Sequence, residues 1–175
     1  SYKTEYNSLA DTYASEAYDS LSRYNTVKNI HDIICDEAWY YLAESKTVHS
    51  SAPFFLGDGG MVCEGYAKTF KVLCDRLSIP CVLVRGYAGG PHMWNYVQME
   101  DGKWYLVDIT WDDQTHGIYD TYFLANQNTI GFEGNPLYLE RSERALGNGL
   151  MYPVLSETEH VPHNHDYDVV TINVT

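Results

Sequence analysis

The sequence predicts an α+β chain, with helices in its first half and antiparallel strands after them. Two observations predict it. Cys63, Tyr66, Phe70, Cys74 and Leu77 recur at helical spacing and mark one apolar helix face. Three segments rich in β-branched and aromatic residues follow, the last two joined around Asp101-Gly102 as a hairpin. A length of 175 residues suggests one domain, and 45% hydrophobic against 20% charged residues excludes wholesale disorder.

Taken in order, residues 1–24 are polar with scattered Tyr and Leu and read as an N-terminal helical segment of one or two short helices. With Asn25 or Thr26 as N-cap, the spacing of Val27, Ile30, Ile34, Ala38 and Tyr41 predicts a helix to about Leu42. Residues 45–60 read as a loop ending in Gly57-Asp58-Gly59-Gly60, where a close approach of backbone is expected. The helix from Cys63 stops at Leu77, ahead of Pro80, and Gly65 in its first turn admits a neighbour. Cys81–Ala88 is a strand, Gly89-Gly90-Pro91 a turn, and His92–Met99 and Lys103–Ile109 form the hairpin. Tyr119–Leu124 is expected to be a further strand. The core spans about residues 25–125, and 126–175 is expected as an irregular C-terminal extension. Its tail from His165 to Thr175 reads as an edge strand or as the first strand of a further domain.

Composition narrows the function. Eleven Lys and Arg against 24 Asp and Glu give a net charge of −13, which opposes binding to nucleic acid or to an anionic membrane. No apolar run approaches the roughly 18 residues a membrane-spanning helix needs, so no membrane insertion is expected. The chain begins at Ser1 without a basic-then-apolar leader, as a trimmed or mature form would. Four scattered cysteines form neither a disulfide scaffold nor a C-x-x-C zinc pair. His160, His163 and His165, with Asp166 and Asp168, fit no zinc template and read as a polar tail. Asp19 and Asp112-Asp113 make no calcium loop. No cofactor or metal is therefore expected. The acidic, Lys-poor chain with 16 tyrosines fits an exported bacterial protein, extracellular or at the cell surface.

The candidate chemistry lies at Cys63, which follows a Gly-rich loop at the first turn of a helix. There, free backbone N–H groups and the positive dipole end favour a thiolate and can receive an oxyanion. The hairpin supplies partners. A two-residue Asp101-Gly102 turn would pair Asn95 with Asp108 and leave His92 on the opposite face. A three-residue Glu100-Asp101-Gly102 loop has Gly at the position that wants a left-handed residue. Met99 then pairs with Lys103 and Trp94 with Asp108, which puts His92 on the Asp108 face as a diagonal neighbour. That is how a carboxylate fixes the tautomer of a histidine acting as general base. Singly, each residue has a plainer role: a core cysteine, a surface strand histidine, an N-capping carboxylate. Together, nucleophile, base and orienter outweigh those roles.

Three blocks carry a resemblance: Gly60-Met-Val-Cys-Glu-Gly-Tyr-Ala67, His92-Met-Trp-Asn95, and Gly102-Lys-Trp-Tyr-Leu-Val-Asp-Ile-Thr-Trp-Asp112. In order and spacing they closely resemble the transglutaminase-like superfamily of bacterial domains. The resemblance implies a papain-like core, with the Cys-bearing helix packed on an antiparallel sheet carrying His and Asp. It implies Cys63 as nucleophile, His92 as general base and acid, and Asp108 as orienter. Trp94, Asn95, Trp111 and Asp112, with Glu64 and Tyr66 beside the cysteine, would shape the site and bind substrate. The upstream oxyanion side chain of relatives has no counterpart in Val48–Leu56, which offers no Gln, Trp or Tyr. The expected function is attack on an amide of a protein or peptide through a thioester, with hydrolysis favoured. Cross-linking by amine transfer is the alternative, as is a non-catalytic peptide- or glycan-binding module in the same cleft.

Overall fold

The computed structural model describes residues 1–144 and 151–163. The strand-like tail from His165 onward lies outside the described residues. The N-terminal segment is a single helix, α1 (Tyr2–Ala17), begun by Ser1, whose hydroxyl accepts from the Thr4 amide. Its small buried residues Ala10, Ala14 and Ala17 let it lie close to its neighbours. Two of its tyrosines pack inward: the Tyr6 ring meets Phe55 edge-on at 4.8 Å, and Tyr13 lies 5.0 Å from Phe54.

The second helix, α2 (Arg23–Glu37), starts ahead of the Asn25 or Thr26 cap that the sequence predicts, because Ser22 caps it by accepting from the Asn25 amide at 3.1 Å. It also ends earlier. Ala38 turns extended, and β1 (Trp39–Tyr40) leaves the helix to pair in parallel with β2 (Gly60–Met61). Ala38 and Tyr41 thus keep helical spacing without being helical. The stretch 45–60 is no plain loop: it holds a 3-10 turn (Lys46–His49) and α3 (Ala52–Leu56) before β2. Gly59 is required, since at φ +83° a Cβ there would sit 2.2 Å from the Glu37 carbonyl oxygen.

The apolar stripe forms α4 (Cys63–Arg76). Beyond it come β3 (Cys81–Tyr87), β4 (Pro91–Gln98) and β5 (Trp104–Val107). The 99–103 connection is the three-residue loop: the Met99 amide donates to the Lys103 carbonyl at 3.0 Å, and Gly102 has φ +76°. The pairing then runs Gln98 with Trp104 to Asn95 with Val107. After β5 follow α5 (Ile109–Asp112), the short pair β6 (Asp113–Gln114) and β7 (Gly117–Ile118), then α6 (Leu137–Glu140) and β8 (Ser142–Glu143). The main sheet is antiparallel in the order β5-β4-β3-β8.

Both faces of this sheet are covered. On one, Phe70, Leu73 and Cys74 of α4 share a core with Val97, Tyr105 and Val107. On the other, Val84, Trp94, Tyr96 and Leu106 pack with Tyr122, Ala125 and Leu137. This corrects two expectations. Tyr119–Leu124 is not a strand; Leu124 turns to φ +48°, the Tyr122 carbonyl accepts from the Asp108 amide at 3.0 Å, and the bridge to β5 is made by the next residue, Ala125, with Leu106. The region after 126 is more than an irregular extension, because Leu137 of α6 and Leu155 pack on the second face and β8 extends the sheet beside β3. His160 is likewise no solvated tail residue: its side chain is buried, bonded to Glu100 at 2.7 Å and stacked on Tyr24.

Candidate active site

The starts of α4 and β4 and the end of β5 converge at the site. β2 delivers Val62, the extended N-cap residue of α4, and Cys63 opens the helix. The apolar Val62 side chain makes no capping hydrogen bond. Gly65 and Tyr66 donate to the Val62 carbonyl, so the Cys63 and Glu64 amides are donors without an intrahelical acceptor. Gly65 works as expected: a Cβ there would come within 2.7 Å of Met61 Cβ and of the Val48 carbonyl oxygen. Cys63 is half-buried, whereas Cys35, Cys74 and Cys81 are buried. Burial and nearby acidic charges push the Cys35 thiol far up, and burial raises Cys74 as well.

His92 stands at the start of β4 and Asp108 at the end of β5. The His92 Nε2–H donates to Asp108 Oδ2 at 2.8 Å, which leaves Nδ1 as the nitrogen for Cys63. Asp108 also caps α5, its Oδ1 accepting from the Trp111 amide at 3.2 Å, so the capping role and the pairing with His92 coexist. Burial disfavours the His92 imidazolium. The Asp108 charge and hydrogen bond outweigh it, with help from the adjacent Cys63, and lift the group to about 9. Burial equally disfavours ionised Asp108, but Arg141 and His92 hold it below the usual carboxylate range. Trp94 stacks on the imidazole at 5.8 Å and Trp111 tilts over it at 5.7 Å.

The remaining sequence-predicted residues brace the site and do not enter it. Asn95 is buried, and its Nδ2 donates to the Ala67 carbonyl at 3.0 Å, tying α4 to the sheet. Tyr66 donates its hydroxyl to Asp113 at 2.6 Å. Glu64 accepts from Lys68 at 2.8 Å and pairs with His49 at 3.1 Å. Asp112, the last residue of α5, is fully buried, its two oxygens taken by His31 Nε2 and the Tyr122 amide, each at 3.0 Å.

Three residues escaped the sequence reading. His31 is buried between Asp32 at 2.8 Å and Asp112 at 3.0 Å; burial opposes charge on the ring, but the hydrogen bonds to Asp112 and Asp32 outweigh it and hold the imidazole above its ordinary range, while burial lifts Asp112 to about 6. Arg141 donates from Nη1 to Asp108 Oδ2 at 2.6 Å. Tyr40 lies beside Cys63: partial burial and that neighbour's charge hold its phenol above the ordinary range. Nothing in sequence spacing signals any of the three, since Asp112, Asp108 and Cys63, the partners that tie them to the site, each lie more than twenty residues away. Ligand atoms of His31, Asp32 and Asp120 gather closely enough to hold a metal ion, but the Lys28 ammonium already bridges the two carboxylates, at 2.5 and 2.9 Å.

The family model of the transglutaminase-like superfamily matches residues 8–109, which begins within α1 and ends just before Trp111 and Asp112. Among curated proteins, kyphoscoliosis peptidase of Mus musculus is 28% identical over 184 residues, covering 96% of this chain and 25% of that protein. The Homo sapiens protein of the same name is 27% identical with the same coverage. The chain thus spans about a quarter of the length of these relatives. A crystal structure described as a TGase superposes with a TM-score of 0.50 at 21% identity, over 62% of this chain and 31% of that one. That likeness is one of fold, a helix packed on an antiparallel sheet. Since the family model accounts for more than half of its residues, the chain belongs to the transglutaminase-like superfamily.

Proposed function

We propose that the chain catalyses thiol-dependent acyl transfer at amide bonds of a protein or peptide, with Cys63 as nucleophile, His92 as base and acid, and Asp108 as orienter. One observation carries this reading: an imidazole anchored by Nε2 on a buried carboxylate stands beside a cysteine at an uncapped helix start. The Cys63 thiolate attacks the carbonyl carbon, a C–S bond forms, and the carbonyl electron pair moves to oxygen, facing the Cys63 and Glu64 amides. As the C–N bond breaks, imidazolium His92 gives its proton to the departing amine and a thioester remains. Neutral His92 then takes a proton from water, the resulting hydroxide attacks the thioester, and the thiolate leaves as the carboxylic acid product forms.

Hydrolysis is favoured over amine transfer. The curated relatives that align with 96% of the chain are named peptidases. Amine transfer also requires the acyl-enzyme to be shielded from water at ~55 M. Trp39, Tyr40, Tyr41 and Leu42 form an exposed apolar run, of which Tyr40 lies beside Cys63, and suit an extended peptide with apolar side chains. The test supplies casein with a fluorescent primary amine and follows peptide release, ammonia and label together, in wild type and Cys63→Ala. New amino termini exceeding incorporated label support hydrolysis; label in excess at millimolar amine overturns that preference. Neither reaction over a broad peptide panel, with Cys63 reactive, points to a binding module.

A further inference from the structure

Arg141 lies outside the 8–109 stretch that the family model matches, yet it contacts the carboxylate on which the candidate site depends. Its Nη1 and the His92 Nε2 meet on one and the same oxygen, Asp108 Oδ2, at 2.6 and 2.8 Å. The guanidinium is buried and stacked: its carbon lies 4.6 Å from the Trp111 ring, 4.6 Å from Tyr122 and 5.0 Å from Trp94. Two of those rings, Trp94 and Trp111, are the ones flanking His92. Nε and Nη2 have no hydrogen-bond acceptor among the described residues, so the aromatic faces and Asp108 are what hold the group.

The backbone fixes it as firmly. The Arg141 amide donates to the Leu137 carbonyl at 3.0 Å, closing α6, and the next two residues form β8. In the sheet, Gly86 pairs with His92 on one side and Glu143 on the other, so β8 and the histidine share one cross-strand row. Gly86 permits this approach: a Cβ there would fall 2.0 Å from the Ser142 carbonyl oxygen.

We propose that Arg141 is a positioning residue of this site: it holds Asp108 in the orientation that keeps the His92 Nδ1 edge toward Cys63, and it shares the oxygen that His92 uses. The proposal rests on the reading of Cys63 and His92 given above. A guanidinium on Oδ2 supplies the counter-charge without which a buried carboxylate would be costly, and it takes up part of the attraction Asp108 offers an imidazolium. The groups facing His92 are Cys63 from α4, Asp108 from the β5–α5 junction and Arg141 from the α6–β8 junction. Asp112 lies one turn further along α5, and Glu140, bonded to the Tyr122 hydroxyl, flanks Arg141. Removing the guanidinium therefore leaves Asp108 Oδ2 to His92 alone.

The test is a histidine titration by ¹H–¹⁵N NMR in the Cys63→Ala chain, with and without Arg141→Gln, the His92 signal being assigned by its loss in His92→Gln. Arg141→Gln raises the His92 inflection by half a pH unit or more, about a threefold gain in proton affinity. If that variant does not fold, Arg141→Lys is read in the same way. An ammonium has no planar fork and stacks poorly on the rings, so the inflection moves the same way by a smaller step. A purely structural role would lower the melting temperature and leave the titration in place. An inflection that is unmoved or lowered in a folded variant overturns the proposal. Alkylation of Cys63 against the three buried thiols in the unaltered chain tests the underlying reading separately. A sluggish Cys63 with a shifted His92 would refute that reading and leave the Arg141–Asp108–His92 linkage standing.

Discussion

Replacing Asp108 by Asn removes the charge and keeps the shape, and its consequences can be worked through atom by atom. The Trp111 amide can still be capped by a side-chain oxygen, so α5 should start where it does now. What is lost is the counter-charge for two cations. Burial opposes the His92 imidazolium, and Asp108 is the main reason the group reaches about 9 against an ordinary 6.5. That difference corresponds to roughly 3 kcal/mol of preference for the charged ring, which a neutral amide at this position cannot supply. Arg141 would be left buried without its carboxylate, at a cost on the order of 3–5 kcal/mol. The variant should therefore fold at low temperature with a reduced melting point. Its turnover should fall by about 10⁴-fold, as the corresponding change does in Ser-His-Asp triads. Near-UV circular dichroism at 10 °C verifies the fold, and turnover on the best peptide substrate is then compared with wild type at the same temperature. Wild-type turnover in a folded Asp108→Asn protein refutes the reasoning, because Asp108 would then be no more than a helix cap.

The other predictions concern pH, metals and Gly59. His92 is raised in the folded state, so its stabilising contribution is complete below about 6.5 and is lost as pH rises through about 9; urea midpoints should fall over that window in wild type and stay level by comparison in His92→Gln. Activity should survive EDTA, since Lys28 occupies the His31–Asp32–Asp120 cluster; loss in EDTA with recovery on adding calcium would contradict this. Gly59→Ala should cost roughly 1–3 kcal/mol and loosen the β1–β2 pair, because a Cβ meets the Glu37 carbonyl at a positive φ; an unchanged melting temperature would count against the assigned backbone.

What was legible in the sequence is what depends on local patterns. The Gly at position 102 selects a three-residue loop, the loop selects the register, and the register sets His92 beside Asp108. The stripe from Cys63 to Leu77 marked α4 to within one residue. Misreadings arose where tertiary pairing overrode spacing. Ala38 and Tyr41 keep helical phase, but β1 gains a parallel partner in β2 that lies about twenty residues away. Leu124, which carries strand character, turns to a positive φ beside β5. Arg141 was invisible because it reaches Asp108 across 33 residues of chain with few periodic signals.

The central claim is that Cys63 is held reactive by His92, and the most direct measurement of it is the rate of Cys63 alkylation. Iodoacetamide at pH 6, quenched at intervals and mapped by mass spectrometry, should modify Cys63 first, with buried Cys35, Cys74 and Cys81 lagging by at least about a hundredfold. In His92→Ala the Cys63 rate should fall at least about tenfold at that pH, since the imidazolium that favours the thiolate is gone. Faster labelling of any other cysteine, or a Cys63 rate indifferent to His92, would contradict the account.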